Sequence, residues 1–328
     1  MPKAQKYRYI CITVALFGLS MYAGWLIRGA YLDVQIRSNP PDEIRENTNA
    51  YNYINPLLLV NFPYAAPEYG KLKEDINSSV VKFLNQGDAT SISVYFQDLN
   101  SGKWTGAHED ELYTPSSMLK VAVMVGYLNE ADNNPEVLSK KLDYVASNNV
   151  GQYYKPSNPL KTGSYTVAEL IRAMIIDSDN TALELLYNNN RAVFVNVLKE
   201  LEIPSPISLN DRDFMSPRTY SRIFRTLFSS SYLSRDLSEK ALQLLTYTTF
   251  KNGLVAGAPT STIIAHKFGE HTDASNDIIL SHQLHDCGIV YYPHKPYFLC
   301  VMTRGNDFSK LESIISSIST ITYNDIKN

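Results

Sequence analysis

Between Leu119 and Leu245, five segments carry apolar residues at helical spacing, with almost no strand pattern among them: Leu119 to Leu128, Thr166 to Tyr187, Ala192 to Leu201, Pro217 to Phe228 and Leu237 to Leu245. The β-rich text lies only on either side of this block. Upstream, Leu72, Ile76, Val80, Val81 and Leu84 mark one helix that Gly87 ends. Thr90 to Leu99 then alternates through Ile92, Val94 and Phe96, and the turn Asn100-Ser101-Gly102 leads into a second short strand. Downstream come Thr262 to Phe268, Ile278 to His285, Gly288 to Tyr292 and Pro296 to Met302, then a closing helix around Phe308 to Ile321. Strands at both ends with helices between predict one sheet assembled from both termini and an all-helical inserted lobe. The cleft between the two lobes is the natural place for a site.

Composition narrows the classes further. With 328 residues, 44% hydrophobic content, 15 Gly and 3 Cys, the chain is neither disordered, nor collagen-like, nor a disulfide scaffold. A net charge of −3 and the lack of any long Lys/Arg block argue against nucleic acid as a partner. Lys3, Lys6 and Arg8 precede 19 uncharged residues from Tyr9 to Ile27. As a helix these span about 28 Å, against roughly 30 Å of bilayer hydrocarbon. Tyr9, Tyr22 and Trp25 sit toward the two ends of the run, as an interfacial belt would, and no clear A-x-A cleavage site follows. The segment is expected to be an uncleaved single-pass anchor, with its basic end cytoplasmic and the rest of the chain extracytoplasmic. Residues 1–28 form that tip and anchor, and 29–66 a linker whose last third docks. The domain over 67–328 has an α/β lobe at about 67–115 and 255–328 and a helical lobe at about 116–254.

Cys287 and Cys300 flank a Pro293–Pro296 turn. A hairpin centred on that turn puts Cys287 opposite about residue 302, so free, buried thiols are expected. His282, His285 and Cys287 are close in sequence, but strand alternation lets only His285 and Cys287 converge, too few for zinc. No metal or other cofactor is expected.

A serine three residues before a lysine puts hydroxyl and amine on one helical face, where an amine held neutral can take the hydroxyl proton. The pattern occurs at Ser79/Lys82 and at Ser117/Lys120. Ser79 lies inside a plain amphipathic helix and reads as surface. Ser117 follows Tyr113-Thr114-Pro115-Ser116 and opens an apolar helix, beside free backbone N–H donors. Ser178-Asp179-Asn180 alone reads as a helix cap. The strand Ile263 to Phe268 continues into Gly269 and Glu270, and its Lys267-Phe268-Gly269 end alone reads as a strand end.

In this order the three elements resemble the S-x-x-K, S-D-N and K-T-G set of class A β-lactamases and penicillin-binding proteins. The lead-in Tyr165 to Leu170 and the segment Asp286 to Pro293 strengthen the likeness, which covers roughly Leu72 to Ile321. It implies an α+β fold: a five-stranded antiparallel sheet flanked by helices, with the helical lobe inserted. It also implies a serine hydrolase. Ser117 would be the acylated nucleophile and Lys120 its proton acceptor, while Ser178 would relay a proton to the leaving nitrogen. Asn180 would bind a substrate amide, and Lys267 would support Ser178 and attract a carboxylate. The backbone N–H groups of Ser117 and Glu270, the latter just past Gly269, would form the oxyanion hole.

Two positions depart from that pattern. No E-x-x-L-N, the setting of the family's deacylating glutamate, lies between Asn180 and Asn210, and Glu200 and Glu202 are expected at the solvent surface. Phe268 replaces the Thr or Ser of K-T-G, so a substrate carboxylate would be absent or be held by Lys267, alone or with His266. The expected substrate is a cell-wall peptide or a β-lactam-like amide. The alternatives are a β-lactamase with a non-standard base and a non-catalytic envelope binding protein on the same fold.

Overall fold

The computed structural model describes residues 44–45, 51–59, 67–146, 152–204, 212–276 and 278–327. The apolar run from Tyr9 to Ile27 lies outside them. Among the described residues no helix is long and apolar enough to cross a membrane.

A short antiparallel pairing of Ile44–Arg45 with Leu57–Leu59 and a 3-10 turn at Pro67–Tyr69 precede helix α1 (Gly70–Asn85), strand β1 (Ser91–Asp98) and strand β2 (Trp104–Ala107). A single 3-10 turn, Ser116–Leu119, then leads into α2 (Lys120–Asn133). The helical lobe adds α3 (Val167–Ile176), α4 (Asn180–Asn189), α5 (Arg191–Glu200), α6 (Pro217–Phe228) and α7 (Arg235–Thr246). It is not purely helical, because β3 (Lys141–Tyr144) pairs antiparallel with β4 (Gly163–Thr166). Those strands are four residues each, too short for an alternation to stand out against the helical text around them. The chain returns through β5 (Ile264–Ser275), β6 (Ile278–Val290) and β7 (Tyr297–Gly305) and closes with α8 (Phe308–Lys327). The two β-rich runs before and after Asp286 are therefore one strand.

The principal sheet has five antiparallel strands in the order β2-β1-β7-β6-β5; the pattern predicted one sheet built from both termini, and the resemblance implied its five antiparallel strands. Its central strands are apolar on both faces because each face is covered. Ile92, Val94 and Phe96 of β1 pack on the side of α1 and α8. Ile289 of β6 and Phe298 of β7 pack on the side of the helical lobe. That leaves β5 as the sheet edge beside the inserted lobe.

Part of the expected linker packs on the domain. The Glu239 carboxylate accepts from the backbone N–H groups of Asn52, Tyr53 and Ile54, and the Tyr291 hydroxyl donates to the Tyr53 carbonyl.

The expectation of free thiols is corrected. Cys287 and Cys300 face each other directly in the β6–β7 register and form a disulfide across a Cα–Cα distance of 4.0 Å. Val290 pairs with Tyr297, so the hairpin is centred between residues 293 and 294 rather than at the middle of the Pro293–Pro296 turn. One residue in the centre moves the partner of Cys287 by two positions, from 302 to 300. Alkylation of the denatured, unreduced protein is expected to modify Cys11 only, with all three cysteines reacting after reduction. Cys300→Ser should lower unfolding stability by about 3 kcal/mol in urea titration.

Candidate functional site

The turn before Ser117 is held from several sides. The Tyr113 N–H donates to the Met215 carbonyl, and the Thr114 N–H donates to the Gln283 side chain on β6. Fully buried His285, also on β6, donates from Nε2 to the Thr114 carbonyl and accepts at Nδ1 from the Thr303 N–H. Burial pushes that imidazole down to about 3, so the ring is neutral and works as a brace. Ser116 sits at φ 49°, the left-handed region that non-glycine residues rarely adopt, and Ser178 at φ 56° does the same. Backbone strain at two adjoining points marks a constellation fixed by its surroundings.

Ser117 and Lys120 lie one helical turn apart, as their spacing predicts. Lys120 is fully buried, and its Nζ lies 2.9 Å from Ser117 Oγ, 2.9 Å from Ser178 Oγ, 2.7 Å from the Ser178 carbonyl and 2.6 Å from Asn180 Oδ1. The carbonyl and the amide oxygen can only accept. A neutral amine gives its two hydrogens to these and keeps its lone pair for a hydroxyl. Burial drives the Lys120 amine well below its ordinary range, and the charge of Lys267 pushes the same way, against the opposing carboxylates of Asp179 and Glu270.

Ser178-Asp179-Asn180 is a helix cap, and its outer two residues also reach Lys120. Asp179 caps α4 by accepting from the Ala182 N–H, and its other oxygen accepts from the buried Tyr144 hydroxyl of β3. The cap orients the triplet so that Ser178 and Asn180 both reach Lys120. Asn180 is exposed, and with its oxygen on Lys120 its amide N–H groups are the part left to meet a ligand.

Lys267 reaches the same point from β5, donating to Ser178 Oγ at 3.1 Å and to the Phe268 carbonyl at 3.1 Å. Burial pulls it down to about 7, with Asp286 and Glu270 opposing. The expected aid from His266 is corrected. His266 is buried on the opposite pleat, with Nδ1 on Asp286 at 2.8 Å, while Asp286 also accepts from the Leu254 N–H.

In an antiparallel strand a residue's N–H and C=O point to the same side, alternating along the chain. The carbonyls of His266 and Phe268 accept from Thr248 and Lys267 rather than from β6, so this parity faces the open edge. The Glu270 N–H, two residues on, faces it as well. A Cβ on Gly269 would lie 2.5 Å from the Pro115 carbonyl oxygen and 3.3 Å from the Met118 N, so the strand presses directly on the turn that carries Ser117. Only glycine allows that approach.

Three elements escaped sequence reasoning. Tyr144 is one of 23 tyrosines and carries no local signal. The His285 brace needs the β6 register. The third is the Glu270 side chain, whose oxygens accept from the backbone N–H groups of Tyr153 and Tyr154, both at 3.1 Å. The two glutamates at the end of α5 are exposed: Tyr232 donates to Glu200, and Glu202 lies 3.9 Å from Arg222. Among the described residues no group of three His, Cys, Asp or Glu could hold a metal.

A family model described as the beta-lactamase enzyme family matches residues 71–326. The chain belongs to that family. Similar relatives are a beta-lactamase of Streptomyces fradiae, 25% identical over 71% of this chain and 78% of its own, and one of Streptomyces albus G, 26% identical over 67% and 74%. Among solved structures, PBP-A superposes with a TM-score of 0.65 over 81% of this chain and 99% of its own, at 19% identity. The TLA-3 extended-spectrum beta-lactamase gives 0.66 over 78% and 100%, at 18% identity. These two likenesses speak for the fold, whose sheet and helices they share. Membership makes the chain a serine hydrolase of the beta-lactamase kind, built on the fold its ordered motifs implied.

Two measurements follow from the site's packing. Gly269→Ala should lower stability by about 1–3 kcal/mol through overpacking and slow labelling by a fluorescent penicillin more than about ten-fold, both read on one preparation. Unfolded lysine titrates near 10.4, above the folded Lys267, so between about pH 7 and pH 10 the unfolded chain binds more protons and stability rises with pH. Lys267→Met should lack part of that rise in denaturant titrations at pH 7 and pH 9.5.

Proposed function

We propose that the protein is a membrane-anchored, extracytoplasmic serine acyl-transfer enzyme that works through an acyl-Ser117 ester on cell-wall peptide or β-lactam-like amides. The observation that carries this reading is one amine within 2.9 Å of two hydroxyls, Ser117 Oγ and Ser178 Oγ, in a buried setting that keeps it neutral. Ser117 Oγ attacks the scissile carbonyl carbon while its proton passes to Lys120 Nζ. The oxyanion forms against the N–H groups of Ser117 and Glu270. As the carbon–nitrogen bond breaks, Ser178 gives its proton to the leaving nitrogen and is resupplied from the lysines on either side. The ester is then released to water or to an amine.

The second half-reaction is the weak one. The exposure of Glu200 and Glu202, and the lack of E-x-x-L-N, leave no glutamate in the family's water-activating setting. Slow release follows, and with it accumulation of the adduct.

The address is part of the proposal. The uncharged run from Tyr9 to Ile27 with its basic flank supports an anchor, and a disulfide supports an oxidising compartment outside the cytoplasm. Fractionation should recover the full-length chain with membranes, and protease added to intact cells should digest its catalytic domain. Protection of that domain would contradict the orientation.

A fluorescent penicillin should label the wild type and leave Ser117→Ala unlabelled, with peptide mapping placing the adduct on Ser117. Intact mass should show the adduct persisting for hours. Rapid return to the free mass would instead make the chain a β-lactamase with another base. Ligand binding without any adduct, unchanged in Ser117→Ala, would make it a binding protein.

A further inference from the structure

Glu270 follows Lys267-Phe268-Gly269 on the strand whose open edge faces Ser117, and the acyl-enzyme reading uses only its backbone. Its carboxylate is half-buried and is placed by two backbone donors, the N–H groups of Tyr153 and Tyr154. Those residues are anchored on both sides of the cleft. Next to them, Gln152 Nε2 donates to the Ser178 carbonyl, the same oxygen that accepts from Lys120. On the sheet side, the Tyr154 ring meets Phe268 edge-on at 5.6 Å and its hydroxyl donates to Glu312 of α8. The short strap 152–154 thus crosses from the helical lobe over the edge of β5, with the carboxylate beneath it.

The charges around Lys267 are arranged against a second anion. Lys267 already gives hydrogen bonds to Ser178 and to the Phe268 carbonyl, and its Nζ lies 4.1 Å from the Phe268 ring centre, where a hydroxyl could have helped an anion. Arg212 and Arg304, the arginines held near this end of the sheet, are each bound to an aspartate, Asp273 and Asp213. An incoming carboxylate would therefore meet a fixed anion, a repulsion stronger in a half-buried site than in open water and still reduced by salt on its solvent-facing side.

Building on the acyl-Ser117 reading, we propose that the Glu270 carboxylate is a specificity determinant that turns the cleft toward acyl donors whose leaving side is uncharged and apolar, and against donors carrying a carboxylate beside the leaving nitrogen. Specificity here comes from a repulsive element placed against the wrong substrate as much as from contacts to the right one. Phe268 is buried against Phe250, so the half-buried Tyr154 ring packed on it supplies the attractive half.

The test compares benzylpenicillin, which carries such a carboxylate, with its uncharged methyl ester, following Ser117 acylation by intact mass in the wild type and in Glu270→Gln. The wild type should react with the ester about ten-fold faster or more than with the acid. Glu270→Gln should raise the ratio of the acid's rate to the ester's about ten-fold. Raising ionic strength should narrow the gap in the wild type, a readout that needs no variant to fold. A wild type that prefers the acid, a gap that salt does not move, or a variant that changes both rates alike would overturn the assignment. Adducts that form with both probes but with no preference overturn this inference and keep the acyl-enzyme; no adduct with either overturns both.

Discussion

The structure depends on the burial of an amine. Lys120 has no solvent contact, and an ammonium in such a place carries a desolvation cost that only neutralisation or excellent pairing offsets. The surroundings choose neutralisation. Two pure acceptors take its hydrogens, a second buried lysine lies across Ser178, and the carboxylates of Asp179 and Glu270 stand back, occupied with backbone donors. The inserted helical lobe is what makes this burial possible. Without α4 and its Asp179 cap there would be nothing to close over the α2 end of the cleft, and Lys120 would be an ordinary exposed cation.

Much of this was legible in residues whose role depends on local spacing. The three-residue step from Ser117 to Lys120 sets one turn of helix whatever the rest of the chain does, and the structure keeps it. The triplet 178–180 was legible as a cap for the same reason, and the cap carries the site. The open-edge position of Lys267 and Glu270 followed from the family order of the motifs, and the parity of the carbonyls on β5 agrees with it.

What was not legible depends on register and on distant partners. The Cys287–Cys300 bridge turned on a single residue in the centre of a hairpin with prolines at both ends, where local text fixes the turn but not its symmetry point. His266 was read as a neighbour of Lys267 because it is adjacent in sequence, yet in a strand adjacency sends the two side chains to opposite faces, and Asp286 took it. The β3–β4 hairpin, with Tyr144 holding Asp179 from below, sits in text that reads as helical or irregular. The Glu270 carboxylate had no visible role until the strap at 152–154 came to lie over it.

The central claim is that the Lys120 amine is uncharged when Ser117 attacks. NMR titration of the protein labelled with carbon-13 at the lysine side chains, with the Lys120 resonance assigned by its loss in Lys120→Met, reads that state directly. The account predicts a resonance that moves between the ammonium and neutral positions well below the range of ordinary surface lysines. A Lys120 that stays an ammonium up to the range of ordinary surface lysines, near pH 10, would contradict it.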